Sequence, residues 1–173
     1  MIRGKEIILR AVELSDAKIL FDWENNQELW HLSGTRLPYS MYDIEQYVLN
    51  AGSSIESTGQ YRFIITNKTD IIGIIDLFDY ELPHRRAGVG ILINEKFRNM
   101  GYAADALNLL CNHCFGQLDF NQLWATIGTD NISSLSLFKK VGFKENGIKE
   151  KWTFYNGKLH DEYFLQLINP KHR

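Results

Sequence analysis

Cysteine, proline, long apolar runs and an excess of either charge are all scarce in this chain of 173 residues. Its only cysteines, Cys111 and Cys114, exclude a disulfide framework, and a lone C-x-x-C lacks the two further ligands that a zinc site requires. The five histidines, His31, His84, His113, His160 and His172, include no pair at helical metal-binding spacing, so no metal is expected. A redox pair belongs at a helix N-terminus, where the dipole lowers a thiol pKa. This pair falls in the second half of a helical run and reads as core. Nineteen basic against 21 acidic side chains give a net charge of −2, without the basic excess of a nucleic-acid binder. The start, Met1 to Glu6, shows no small-residue cleavage pattern, and no later segment approaches membrane-spanning length, so the expectation is a cytoplasmic protein with no membrane partner.

What is present suits one domain over residues 1–173. Hydrophobic residues make up 45% of the chain and aromatics 13%, enough for a real core. No repeat, low-complexity tract or linker divides it. Ile7 to Leu9 reads as a first strand, and Ser15 or Asp16 can cap a helix with Ile19, Leu20 and Trp23 on one face. A polar loop is expected from Asn25 to Tyr39, then a helix capped by Ser40 with Ile44, Tyr47, Val48 and Ala51 at helical spacing. Tyr61 to Thr66 and Ile71 to Phe78 form a hairpin-like pair, and Ala87 to Asn94 the next strand. A helix from Tyr102 to about Gln117 aligns Ala103, Leu107, Leu110, Cys111 and Cys114. A strand at Leu123 to Ile127 and a helix from Ile132 to Val141 follow, with Gly142 as its stop. Asn156-Gly157 is a strong type I′ hairpin signal, since both positions need φ > 0. The fold class is α+β, with a mixed sheet.

Where a strand ending near Asn94 gives way to the helix at Tyr102 stands Arg98-Asn99-Met100-Gly101-Tyr102-Ala103. A helix's first turn has unpaired N–H donors and the positive end of the macrodipole, so this corner suits a phosphate or pyrophosphate. A P-loop would need G-x-x-x-x-G-K-[ST], which is missing. A dinucleotide fingerprint would need G-x-G-x-x-G, but Gly88-Val89-Gly90 is followed three residues on by Ile93.

The remaining pattern, Arg98-x-x-Gly101-x-Ala103, resembles the pyrophosphate loop of the GNAT acyl-CoA N-acyltransferases. Downstream, Asn131 to Phe143 is similar to the second GNAT signature, N-x-x-[SA]-x-x-L-[YF]-x-K-x-G-F. His84-Arg85-Arg86-Ala87, before a glycine-bearing strand, resembles the subgroup of ribosomal-protein N-terminal and polyamine (spermidine or diamine) acetyltransferases. The resemblance implies the GNAT fold, a mixed, mostly antiparallel sheet flanked by helices, with acetyl-CoA as cosubstrate. It implies that Ile91, Leu92 and Ile93 line the pantetheine arm. The amides of Arg98, Asn99, Met100, Gly101, Tyr102, Ala103 and Ala104 would cradle the pyrophosphate, with the Arg98 fork on its oxygens. Asn131 would hydrogen-bond the pantetheine, while Ser134, Phe138 and Lys140 border the thiol and adenine ends. A strand amide would polarise the acyl carbonyl.

Two departures matter. Many relatives carry tyrosine at Phe138, able to return a proton to the CoA thiolate, and many in this subgroup carry glutamate at Gly88. Both proton carriers are missing. Gly88 and Gly90 share one face of their strand, where glycine marks either close approach of another group or packing against a large aromatic.

Asp76 is the first candidate for a general base, because it interrupts the apolar run Ile71 to Phe78 in a strand expected beside the cleft; a satisfied structural aspartate is the alternative. Glu24 and Glu28 can attract a cationic acceptor or form a plain solvated helix face. Trp30, Tyr39 and Tyr42 can wall the acceptor pocket or belong to the core, and His84 has the right chemistry for a base but exposed neighbours. The expected activity is acetyl transfer from acetyl-CoA to a primary amine, of a small polyamine or diamine or of a protein N-terminus, by direct attack in a ternary complex. The rival is a catalytically weak acyl-CoA-binding sensor. The C-terminal hairpin offers a sheet edge through which a homodimer can pair.

Overall fold

Ile64 and Ile65 are adjacent in one strand and both are fully buried, because successive side chains of a strand point to opposite faces and both faces of this sheet are covered. The computed structural model describes residues 1–172. Its strands are β1 (Ile2–Arg3), β2 (Ile8–Ala11), β3 (Tyr61–Thr66), β4 (Ile71–Glu81), β5 (Arg86–Ile93), β6 (Gln122–Gly128), β7 (Lys144–Tyr155) and β8 (Lys158–Ile168). They form one sheet in the order β1-β2-β3-β4-β5-β6-β8-β7, antiparallel except for β5 against β6. The helices are α1 (Ala17–Glu24), α2 (Trp30–Ser33), α3 (Met41–Asn50), α4 (Ile55–Thr58), α5 (Tyr102–Gly116) and α6 (Ile132–Val141). The expected mixed α+β sheet flanked by helices is thus present.

On one face Ile64 and Ile74 pack with Ala17 and Leu20 of α1 and Ile44 and Val48 of α3. On the other, Ile65, Ile75 and Leu77 meet Ala106, Leu107, Leu110, Cys111 and Cys114 of α5, with Leu135 and Phe138 of α6. The buried stripe of α5 includes Ala106, with Ala103 only partly covered. Burial pushes the Cys111 thiol up to about 12, and the Cys114 thiol is raised by burial and by its neighbour.

Local signals acted where they stand. Ser40 caps α3, its hydroxyl accepting from the Asp43 amide at 3.1 Å. Gly142 ends α6 at φ +108°. Asn156 and Gly157 turn the β7–β8 hairpin at φ +49° and +73°. The first strand differs from expectation: Ile7 to Leu9 becomes β2, shifted one to two residues on, with a short β1 added. The loop expected from Asn25 to Tyr39 holds a 3₁₀ turn, Gln27–Leu29, and then α2. Asn26 caps that turn by accepting from the Glu28 amide, and the Trp30 indole donates to the Glu24 carbonyl at 2.8 Å, tying the segment back onto α1.

The functional geometry comes from a divergence. β4 pairs with β5 from Gly73–Ile93 to Glu81–Arg86, but the parallel ladder between β5 and β6 holds only at Arg86–Gln122, Ala87–Leu123 and Gly88–Trp124. Beyond Gly88 the strands splay, and the edge of β5 through Ile93 faces a cleft instead of a partner.

Candidate active site

The cleft opens into two adjoining cavities. One, of about 480 Å³, runs between β5 and α6 and is lined by Val89 to Ile91, Thr126 to Gly128, Asp130, Asn131, Ser134, Phe138, Tyr155 and His160. The other, of about 490 Å³, lies toward α1 and is lined by Trp23, Glu24, Tyr47, Arg62, Asp76, Phe78 and Trp152, among others. His31, Leu32, Gly90, Ile91, Thr126, Thr153 and Glu162 border both. They mark the junction.

At the far end of β5, Asn94 caps a 3₁₀ turn, Glu95–Phe97, by accepting from the Lys96 amide. The chain then reverses through Asn99 at φ +63° and Gly101 at φ +88°, and Gly101 caps α5 in the left-handed region that suits glycine. Ala104 and Asp105 donate to the Gly101 carbonyl at 3.1 and 3.2 Å. The amides of Tyr102 and Ala103 precede these bonds and, as first-turn donors, have no intrahelical acceptor, whereas that of Ala104 is committed. Arg98 is half-exposed; its Nε donates to the Ile93 carbonyl at 3.2 Å, and its Nη1 lies 3.5 Å from Glu95. A corner with free amides and a guanidinium, continuous with an unpaired strand edge, fits an extended ligand with a pyrophosphate.

Asn131 begins α6 and its Oδ1 accepts from the Ser134 amide at 3.2 Å and the Ser133 hydroxyl at 3.1 Å, which leaves its Nδ2 free to donate. Ser134 and Phe138 border the first cavity; Phe138 is only 3% exposed and sits edge-on to Phe143, centroids 5.0 Å apart. Lys140 is exposed in the last turn of α6 and borders neither cavity.

The second cavity has a charged floor. Arg62 Nε and Nη2 donate to Asp76 Oδ1 and Oδ2 at 2.8 and 2.7 Å, and Nη1 donates to Glu24 at 2.5 Å. The guanidinium also lies over the Tyr47 ring, 5.5 Å from its centroid. Burial opposes the Arg62 charge, but attraction and hydrogen bonding from Asp76, with Tyr47 and Glu24 adding, leave its pKa raised. Asp76 does line the cavity, as a carboxylate gripped at both oxygens. Glu24 lines it too. Glu28, Trp30 and Tyr39 do not: Glu28 points from the exposed 3₁₀ turn, Trp30 is tied to α1, and Tyr39 is held through its backbone by Asn25 at 2.8 and 3.0 Å. Tyr42 is 67% exposed and His84 sits on the surface 3.9 Å from Glu81.

Glu162, which carries no sequence signal, enters from β8 opposite Gly128. Its Oε1 accepts from the Thr153 hydroxyl, and among the described residues no protein donor reaches Oε2. Gly88 is explained by packing: a Cβ there would lie 2.4 Å from the Phe78 ring.

A sheet split to expose one strand edge, with an anion corner at its end, fits the class of acyl-CoA transferases that the sequence resembles. A family model described as Acetyltransferase (GNAT) domain matches residues 6–144. This chain belongs to the GNAT acetyltransferase family and is an acetyl-CoA-dependent N-acetyltransferase. It is 23% identical over 170 residues to a spermidine N(1)-acetyltransferase of Vibrio cholerae, covering 98% of this chain and 96% of that protein. It is also 24% identical over 153 residues to the spermidine N(1)-acetyltransferase of Escherichia coli, covering 88% of this chain and 81% of that one. A crystal structure of the Vibrio cholerae spermidine N-acetyltransferase in complex with CoA and spermine superposes with a TM-score of 0.87 at 22% identity, covering 98% of this chain and 99% of that chain. The subgroup resemblance is thereby supported, and the sensor alternative is not favoured.

Proposed function

We propose that this enzyme acetylates a primary amine of a small polycation, a polyamine or diamine, seated in the cavity floored by Glu24, Arg62 and Asp76. Three carboxylates line that cavity with one guanidinium, Glu24 and Asp76 paired to Arg62 and Glu162 apart from it, so the cavity keeps a negative excess that favours an alkylammonium. The spermidine acetyltransferases it resembles support the same class. A protein N-terminus is the weaker choice, since two partly enclosed cavities suit a slender guest better than a chain end on a folded surface.

In this reading the β5 edge from Ile91 to Ile93 runs along the pantetheine, Asn131 Nδ2 donates to it, and Arg98 with the amides from Asn99 to Ala103 holds the pyrophosphate. Glu162 takes the ammonium proton. It stands at the junction of the cavities, beside Gly90 and Ile91, with one oxygen free, and this placement is the observation that carries the proposal. Asp76 yields that role, because a proton on it would have to displace bonds from Arg62. The neutral amine then attacks the thioester carbonyl, whose oxygen accepts from an unpaired β5 amide. Neither buried cysteine forms an acyl-enzyme.

Release of free CoA thiol from acetyl-CoA, measured against spermidine, spermine, putrescine, amino-terminal peptides and aminoglycosides, tests the assignment. Polyamines should give the highest kcat/KM. Turnover confined to peptides would overturn it.

A further inference from the structure

The geometry points to Tyr155 as the proton donor to the departing CoA sulfur, a proposal that rests on the acetyl-transfer reading of the first cavity. The leaving thiolate needs a proton, and Phe138, packed against Phe143, has none to give. Four hydroxyls border that cavity: Thr126, Ser134, Thr153 and Tyr155. Thr153 and Tyr155 each donate to a carboxylate, of Glu162 and Asp130 respectively, so acidity separates them: a phenol is a far stronger acid than any aliphatic hydroxyl. Tyr155 is the sole phenol in the set.

It is also held in place. Its ring stacks on His160 with centroids 3.6 Å apart and planes 12° from parallel, and His31 lies against it at 4.9 Å. Its hydroxyl donates to Asp130 Oδ2 at 2.6 Å, one residue before Asn131, the proposed pantetheine contact. His160 Nδ1 stands 4.0 Å from the same oxygen. Among the described residues, His160 Nε2 is a buried side-chain nitrogen with no hydrogen-bond partner. Such orphans are rare and call for an explanation; an imidazole placed as a stacking plate for Tyr155 supplies one. The groups facing Tyr155 are therefore Asp130 from the β6–α6 connection, His160 from β8 and His31 from α2, with Thr153 and Glu162 lining the cavity beside them. The bond to Asp130 raises the Tyr155 pKa, so the phenol stays loaded through neutral pH.

The step balances. As the C–N bond forms and the C–S bond breaks, the sulfur takes its proton from the Tyr155 hydroxyl. The ammonium releases its first proton to Glu162, which passes it on to solvent, and its second to water. Tyr155 is reprotonated from solvent past exposed Asp130, so one proton is released per turnover.

The experiment compares wild type, Tyr155→Phe, and Tyr155→Phe combined with Phe138→Tyr, each with spermidine and saturating acetyl-CoA, with CoA-induced thermal stabilisation as the control for folding and binding. Tyr155→Phe preserves the stacking, so CoA should still stabilise it, while kcat falls by about 10²-fold. Phe138→Tyr in that background should return at least tenfold of the loss, because it supplies a phenol from α6. A Tyr155→Phe enzyme as fast as wild type overturns the proposal, and so does a slowed one that Phe138→Tyr leaves unmoved. Wild type without turnover on any amine would instead sink the acetyl-transfer reading itself.

Discussion

Phe78 fills the space that any side chain at position 88 would need. A Cβ built on Gly88 would meet its ring atoms at 2.4, 2.6 and 2.9 Å, and the same ring stands edge-on to Trp124, 5.2 Å between centroids. A glutamate at position 88 is therefore incompatible with this packing. The proton duty that it would serve has to come from elsewhere in the cleft.

Gly88→Ala should destabilise the protein by about 1–3 kcal/mol, the cost of overpacking. In a Phe78→Ala background the added cost should fall below about 1 kcal/mol. Denaturant melts of the four proteins give the coupling directly. Additive effects would mean that the ring does not hold that space.

Glu162→Gln should lower kcat/KM by about 10²- to 10⁴-fold and abolish the low-pH limb of its profile, as removal of a general base does. Asp76→Asn should keep that limb and act mainly by raising the acceptor KM, since it loosens Arg62. Steady-state kinetics of both across pH distinguish the two carboxylates. A flat profile in Asp76→Asn would restore that residue as the base.

At the anion corner, Arg98→Ala should weaken CoA binding about tenfold, in line with the loss of a charge-assisted contact. Gly101→Pro should weaken it further, because proline cannot adopt φ +88°. Titration calorimetry with CoA at fixed salt measures both. Unchanged affinities would move the pyrophosphate elsewhere.

Far from the cleft, Asp16 is 1% exposed and accepts Arg10 Nη1 and Nη2 at 2.7 and 2.8 Å and the Glu13 amide at 2.8 Å. Burial works against its charge, but these bonds win and hold its pKa below the ordinary carboxylate value. Because the folded value is depressed, this stability is present above the unfolded carboxylate pKa of about 3.9 and fades as pH falls below it. Asp16→Asn should cost about 3 kcal/mol at pH 7, the scale for breaking a buried pair, and the deficit should shrink in melts run toward pH 3.

Much of the fold can be read locally. The Ser40 cap, the Gly142 stop, the Asn156-Gly157 turn and the periodicity of α5 each act through neighbours in sequence, and each stands where its chemistry places it. The phosphate corner belongs to the same class, since a strand, a glycine and a helix start are consecutive. What escaped is long-range. Glu162, Thr153, Tyr155 and His160 become cleft residues only through the β6–β8–β7 register, which places Glu162 opposite Gly128 and Thr153 opposite His160. A register irregularity between Lys149 and Thr153, with Lys151 at φ +50°, resets which side chains face inward, and no alternation rule in sequence carries that. His31 was hidden differently, in a segment whose polar composition masked one turn of helix. Asp76 was legible as an acid in an apolar strand, but its partner Arg62 lies on another strand, and ion pairing is invisible to spacing.

The β5–β6 divergence leaves an open strand edge in the middle of a sheet, where most proteins keep theirs at the rim and blunt them against adhesion. Here the protection is concavity. Gly90 and Ile91 of that edge line both cavities, so its unpaired groups lie within a cleft and not at a rim. The wedge that admits the cosubstrate is thus the same feature that takes this edge out of the outer border of the sheet.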